Sequence, residues 1–115
     1  DAAHVPGGRV AAAFSPAEEA EVARILRSEP AVLPIGAQSS LTGGATPRGD
    51  VVLLTSGLNR IDDVGAHRVR VQAGVTLAAL DQVQRERGGF YPPAPTFNGA
   101  VIGGTVSTNA AGAGR

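Results

Sequence analysis

The 115-residue sequence contains no cysteine, no methionine and no tryptophan. Without cysteine it has no disulfide framework, no thiolate metal site and no thiol nucleophile. Basic and acidic residues number ten each, so a formal net charge of zero gives no electrostatic reason to expect a nucleic acid or an anionic membrane as partner. Aromatic residues make up only 3%, which is thin for a self-sufficient core.

The chain also lacks any apolar run of membrane-spanning length and any signal-peptide pattern at its start. This predicts no membrane span, and we expect a cytoplasmic protein. The missing methionine and the glycine-rich last residues, 109–115, suggest a piece of a longer protein. Its length suffices for one small domain.

Glycine and proline are abundant, with 16 and 8 residues, and neither is periodic. This composition is typical of tight loops built around a ligand. Residues 34–45 (PIGAQSSLTGGA) are the clearest case, since they join two short apolar runs and are mostly small or hydroxylated. Such a loop exposes many backbone N–H groups, and inward-pointing N–H groups form a concavity that suits a phosphate or pyrophosphate. The alternative is a flexible, solvated connection.

The loop matches neither of two common phosphate-binding motifs. No Gly-Lys-Ser/Thr follows, as a Walker A loop requires, and its glycines do not fall as G-x-G-x-x-G. Residues 46–49 lead into a strand pattern instead of a helix. If the loop holds a dinucleotide, it does so by wrapping backbone around the pyrophosphate.

The first half of the chain predicts a small α/β unit. Residues 9–14 form a possible strand, and a helix is expected over 16–28, with Ser15 as N-cap and Glu18 completing a capping box. Residues 31–35 and 51–54 read as short buried strands, and the latter is fully apolar, as in parallel sheets.

The second half predicts a hairpin and two helical segments. Strands at 61–64 and from residue 69 are joined by a turn at 65–67. Thr76 is expected to cap a helix over 77–87 that ends at Gly88-Gly89. A proline-rich loop, 90–99, offers a stiff wall for a flat ring system or is simply a surface connection. One short helical turn is expected near 104–109.

Three stretches together resemble one family. They are residues 34–45, residues 71–77 (VQAGVTL), and residues 91–96 (YPPAPT) followed by residues 102–112 (IGGTVSTNAAG). Their order and spacing resemble the FAD-binding domain shared by vanillyl-alcohol oxidase and p-cresol methylhydroxylase. More narrowly, they are similar to FAD-linked D-lactate dehydrogenases and the glycolate oxidase flavin subunit. The resemblance covers nearly the whole chain.

The resemblance implies two groups of FAD-binding residues and assigns no catalytic or metal-binding residue. The first group wraps the pyrophosphate with backbone N–H groups: Gly36, Ala37, Gln38, Ser39, Ser40, Gly44 and Ala45. The second packs against the isoalloxazine and ribityl chain: Pro95, Thr96, Gly103, Gly104, Ser107, Thr108, Asn109 and Gly112.

The sequence departs from the family pattern at four of its positions. Gln38 and Ser40 stand where glycine is frequent, so either the loop's positive-φ positions lie elsewhere or its shape differs slightly. Ser39 stands where some relatives tether the flavin through a histidine, which implies non-covalent FAD. Ala111 replaces a usual glycine near the ring.

The two histidines, His4 and His67, and the acidic pair Asp62-Asp63 are expected to be solvated rather than catalytic. No His/Asp/Glu cluster has metal-ligand spacing.

Taken together, the resemblance implies an α+β fold of the PCMH type. A small α/β subdomain with short parallel strands (about 1–57) is followed by the start of a second mixed subdomain (58–115), and the substrate domain is absent. The parent is then a flavin-dependent oxidoreductase that oxidises a 2-hydroxy acid such as D-lactate or glycolate. Its expected partners are the remaining domains or a complementary chain, and the fragment alone is expected to be inactive. The alternatives are a non-catalytic nucleotide- or phosphate-binding module and a structural subunit.

Overall fold

The computed structural model describes residue 6 and residues 8–93 and 97–112. The chain divides into two compact units, Asp1–Leu58 and Asn59–Arg115, here called unit 1 and unit 2. Unit 1 contains β1 (Arg9–Phe14), α1 (Glu19–Ser28), β2 (Leu33–Ile35) and β3 (Arg48–Leu54). Unit 2 contains β4 (Ile61–Asp63), β5 (Val69–Val71), α2 (Leu77–Glu86) and α3 (Ile102–Ser107).

The strands of unit 1 form a parallel sheet in the order β1-β3-β2. The central strand β3 carries two of the most buried side chains, Val52 and Leu53, which are 2% and 4% exposed. Their burial accounts for the apolar run that predicted a parallel strand. β3 begins at Arg48, three residues before the predicted start, because Arg9 of β1 pairs with Arg48 and extends the ladder.

The predicted start of α1 is wrong. The helix begins at Glu19, and its N-cap, Glu18, is extended (φ −137°, ψ 153°) and makes no side-chain capping bond. Pro16 is fully buried, and a Cβ built on Gly57 would lie only 2.7 Å from the Pro16 carbonyl oxygen. This close packing holds the segment before α1 out of helical geometry, so tertiary contacts override the local capping-box signal.

Unit 2 opens with the predicted hairpin. β4 and β5 are antiparallel, with Ile61 opposite Val71 and Asp63 opposite Val69. Gly65 in the turn has φ +139°, which a residue with a side chain rarely adopts. The hairpin and the predicted turn at 65–67 are therefore confirmed, although β4 ends one residue early.

Helix α2 begins at the predicted residue and ends at Glu86, one residue before the predicted end. The Thr76 hydroxyl accepts a hydrogen bond from the Ala79 amide at 3.1 Å, so Thr76 caps the helix. At the other end, Gly88 has φ +74° and donates to the Arg85 carbonyl, while Gly89 donates to the Gln84 carbonyl at 2.8 Å. This pair of bonds is a Schellman motif.

Helix α3 packs directly on the segment that precedes α2. The amides of Ile102 and Gly103 donate to the carbonyls of Val75 and Ala73 at 2.9 and 2.8 Å. Because these contacts anchor its first residues, α3 begins at Ile102, two residues before the predicted helical turn. Among the described residues, no helix combines the length and the apolar character that crossing a membrane requires.

Candidate cofactor-binding site

The glycine-rich loop, residues 36–45, leaves the carboxyl end of β2 and leads into β3. In parallel sheets, ligands bind beyond the carboxyl ends of the strands. The Gln38 side-chain amide donates to the Ala45 carbonyl at 2.9 Å. The Ser40 and Thr42 hydroxyls lie 2.9 Å apart, and the Thr46 amide donates to the Gly43 carbonyl at 3.0 Å. These bonds give the loop a defined shape.

Most of the loop's backbone donors are left without a partner. Within the described part of the chain, the amides of residues 36–41 and 43–45 make no hydrogen bond, whereas the Thr42 amide donates to Ser40 Oγ at 3.2 Å. No acidic residue occurs in the sequence between Glu29 and Asp50. A run of free N–H groups in a loop that carries no carboxylate of its own suits a diphosphate.

The residue after the loop, Thr46, adds a buried polar atom that the sequence reading missed. Thr46 is only 8% exposed, and its Oγ1 finds no hydrogen-bond partner among the described residues. Leaving a buried hydroxyl unsatisfied costs about 1–3 kcal/mol. An orphaned hydroxyl beside the free amides fits a loop completed by a ligand. The sequence feature that could have pointed to this hydroxyl is a threonine directly after Gly43-Gly44-Ala45.

Gln38 itself adopts the left-handed conformation, with φ +51°. Of the two alternatives for this departure from glycine, the one that places the loop's positive-φ positions away from Gln38 is therefore excluded, and Gly43 is a second such position, at φ +75°. Glycine adopts this region most easily, and here the Gln38 side chain gains a bond to Ala45 that glycine could not make. Ser40, the other departure from glycine, keeps a negative φ.

The second predicted group lies on and just after α3, in unit 2. Gly103 packs so closely on Ala73 that a Cβ would lie 2.9 Å from the Ala73 Cβ. Its amide is also used within the chain, so Gly103 has a structural role of its own. Gly104 is exposed, and among the described residues a Cβ there would meet only Val101, at 3.8 Å. Gly104 is therefore where α3 allows a ligand closest approach.

The hydroxyls on α3 bond back to the helix. Ser107 Oγ donates to the Gly103 carbonyl at 2.7 Å, and Thr108 Oγ1 donates to the Gly104 carbonyl at 2.8 Å. Both keep lone pairs that can accept a ligand's hydrogen bond. Asn109 ends α3 in the left-handed region at φ +49°, and its side chain is exposed. Gly112 is half-buried, and Pro95 and Thr96 lie outside the described residues.

A cleft of about 500 Å³ in unit 2 does not coincide with the predicted site. It lies between the exposed face of α2 and the segment around Tyr91 and Asn98. Two of its charged groups, Asp81 and Arg85, pair with each other at 2.6 Å. None of the predicted FAD-binding residues that the structure describes lines it.

The acidic pair and His67 show no catalytic arrangement. Asp63 accepts bonds from the Gly65 amide at 3.0 Å and from Arg87, and these interactions lower the pKa of its carboxyl. Asp62 pairs with Arg60 at 3.2 Å, and His67 is exposed. Within the described ranges, no cluster of three or more potential metal ligands exists.

The chain matches known proteins along most of its length. The family model for an FAD binding domain matches residues 10–115. A D-lactate dehydrogenase from Anaerostipes hadrus is 39% identical over 84 residues, which cover 70% of this chain and 18% of that protein. A D-lactate dehydrogenase from Archaeoglobus fulgidus is 34% identical over 103 residues, which cover 84% of this chain and 23% of that protein. The mitochondrial D-2-hydroxyglutarate dehydrogenase of Bos taurus is 41% identical over 101 residues, which cover 80% of this chain and 18% of that protein.

Solved structures share the fold. An alkyldihydroxyacetonephosphate synthase superposes with a TM-score of 0.76 at 21% identity, covering 87% of this chain and 22% of that one. Cholesterol oxidase from Brevibacterium sterolicum superposes with a TM-score of 0.74 at 24% identity, covering 88% of this chain and 21% of that one. The chain spans about a fifth of the curated relatives' length, from 18% to 23% of those described above. With a matching family model over nearly its whole length, the chain belongs to the FAD binding domain family.

Proposed function

We propose that this chain is the FAD-binding portion of an oxidoreductase that oxidises a hydroxyl-bearing substrate, a 2-hydroxy acid such as D-lactate or glycolate. Support for the substrate class comes from relatives that are named D-lactate dehydrogenase and D-2-hydroxyglutarate dehydrogenase and that cover most of the chain. D-lactate and D-2-hydroxyglutarate, the compounds in those names, each carry a hydroxyl on the carbon next to a carboxylate.

The observation that carries the proposal is the row of unpaired amides in the loop. We assign the diphosphate of FAD to the amides of the first predicted group, which run from Gly36 to Ala45. Charge-assisted N–H···O bonds are about twice as strong as neutral ones, so several together would hold the cofactor firmly. The orphaned Thr46 hydroxyl is one further donor for the same region.

The protein's task here is to bind and orient the cofactor. Bound FAD would supply the hydride acceptor for the carbon that carries the substrate hydroxyl. We assign the ring and ribityl contacts to the exposed surface of α3 around Gly104, with the Ser107 and Thr108 hydroxyls as acceptors. No residue of this chain is assigned to catalysis, because the base and the carboxylate clamp would lie in the substrate domain.

The domain assignment, cofactor linkage and location complete the proposal. Residues 1–57 would be the first subdomain of a PCMH-type FAD-binding domain, and residues 58–115 the start of the second. Ser39 offers a hydroxyl and no imidazole, so FAD would be held without a covalent bond through this loop. The partners would be the remainder of the FAD-binding and substrate domains or a complementary chain, and the location cytoplasmic.

The test is to purify the protein and titrate it with FAD and with ADP. A yellow preparation with a flavin absorbance band, or saturable quenching of FAD fluorescence, supports the proposal. Colourless protein that binds ADP but not FAD would favour a nucleotide-binding module, and indifference to both would favour a structural subunit. We expect the 115-residue chain alone not to turn over substrate. Steady dye reduction by this chain with a hydroxy acid would contradict that expectation.

A further inference from the structure

One side chain, that of Gln38, joins the two ends of the glycine-rich loop. Its amide nitrogen lies 2.9 Å from the carbonyl oxygen of Ala45, seven residues further along the chain. The next residue, Thr46, is where a second bond closes the turn, since its amide donates to Gly43 at 3.0 Å. The Gln38–Ala45 bond therefore closes a ring around the free amides of the loop.

The backbone of Gln38 is in a conformation that disfavours residues with a side chain. Its φ of +51° lies in the left-handed region, where glycine is the least strained residue. A glycine at this position would relieve that strain but could not bridge to Ala45. The residue present thus keeps an unfavourable backbone conformation together with a bond that glycine cannot make.

We propose that Gln38 is a positioning residue whose side chain holds the loop amides in their binding arrangement before FAD arrives. This inference rests on the proposed function of the loop. Free N–H groups make few contacts that would order them, so an unbridged loop would have to be ordered during binding. Ordering a loop at the moment of binding weakens affinity, and a bridge that orders it beforehand avoids this loss.

The bridge needs both the length and the donor of glutamine. Gln38→Leu keeps a branched side chain and the left-handed strain while removing the donor. Gln38→Gly removes the donor and the strain together. Gln82→Leu on the exposed surface of α2 is the matched control, since the one bond of the Gln82 amide within the described ranges is to Glu86, at a long 3.5 Å.

The first measurement is the FAD dissociation constant of the full-length protein, from quenching of flavin fluorescence. Loss of one net hydrogen bond corresponds to about a tenfold change in an equilibrium constant. We expect Gln38→Leu to weaken FAD binding about tenfold, Gln38→Gly to weaken it about three- to fivefold, and Gln82→Leu to leave it within about twofold of the parent. Equal affinity of the parent and Gln38→Leu would overturn the proposal.

The second measurement uses pH to restore the donor. In Gln38→Glu, an ionised carboxylate cannot donate to Ala45 and repels a diphosphate, so FAD binding near pH 7 should fall further than in Gln38→Leu. Protonation as the pH approaches the usual glutamate range, about 4.3, returns a donor. The affinity of the variant relative to the parent should therefore rise between pH 7 and about pH 5. If the ratio of the two FAD affinities, variant to parent, stays constant over this pH range, the bridging role of the side chain is contradicted.

The third measurement needs no FAD, so it separates this inference from the proposed function. Backbone ¹⁵N relaxation of the ligand-free protein should give ordered amides for residues 39–44 in the parent and in Gln82→Leu. The same amides should fall to order parameters below about 0.6 in Gln38→Leu. Unchanged order in that variant overturns the bridge even if FAD binds. Failure of the parent to bind FAD overturns the proposed function, while the relaxation data still decide the bridge.

Discussion

Replacing Gly103 with alanine should destabilise unit 2, whereas the same change at Gly104 should not. A Cβ on Gly103 would lie 2.9 Å from the Ala73 Cβ and 3.1 Å from the Ala73 carbonyl oxygen. The neighbouring atoms are partly backbone, and the Gly103 amide is bonded to that same carbonyl at 2.8 Å. The new methyl group can therefore be accommodated only if α3 moves away from residue 73.

The magnitude follows from two opposing effects. Overpacking of a well-packed contact costs about 1–3 kcal/mol. Alanine regains up to about 1 kcal/mol of helix propensity over glycine, and less in a first turn. The net expectation for Gly103→Ala is a loss of about 1–2 kcal/mol, or about 4–16 °C in the melting temperature of a small domain. For Gly104→Ala, whose Cβ has Val101 at 3.8 Å as its one neighbour in the described part of the chain, we expect no loss and a gain of up to about 1 kcal/mol.

Thermal unfolding without FAD, followed by circular dichroism, measures both variants against the parent. The two glycines are adjacent on one helix, so the pair separates close packing from helix propensity. Melting of Gly103→Ala at or above the temperature of Gly104→Ala would refute the docking of α3 on Ala73.

Three further predictions concern single side chains. Thr76→Ala removes the cap of α2 and should lower the free energy of unfolding by about 1 kcal/mol in urea denaturation, whereas a Thr76→Ser variant with the same loss would argue against capping. Because its folded pKa is depressed, Asp63 contributes stability above the usual aspartate pKa of about 3.9, and this is lost as the pH falls through the folded pKa. Asp63→Asn should therefore lose stability at pH 7 and match the parent near pH 2, and an equal deficit at both values would contradict this. Thr46→Val should raise the ligand-free unfolding free energy by about 1 kcal/mol while weakening FAD binding, and tighter binding would show that the hydroxyl serves no ligand.

Local signals predicted the elements whose ends are fixed by nearby residues. Thr76 and Gly88 lie at the two ends of α2, and each acts through hydrogen bonds to residues within five positions of itself. The hairpin likewise depends on the short turn after Asp63 and on alternation in β5. The apolar run at 51–54 predicted a parallel strand because a central strand is covered on both faces.

The remaining features depend on contacts that local patterns do not encode. The start of α1 is set by the packing of Pro16 against Gly57, some forty positions away along the chain. The start of α3 is set by bonds to the carbonyls of Ala73 and Val75. In the loop, the family pattern marked Gln38 as a departure from glycine, but the bond to Ala45 that accompanies its left-handed backbone is visible only in three dimensions.

The account depends on main-chain amides of the glycine-rich loop binding the diphosphate of FAD. A ¹H–¹⁵N correlation spectrum of the protein recorded during an FAD titration observes those amides directly. The amide resonances of residues 36–41 and 43–45 should shift in a saturable way, with the same dissociation constant as the flavin fluorescence. If FAD binds while these resonances stay in place and others move, the loop is not the diphosphate site.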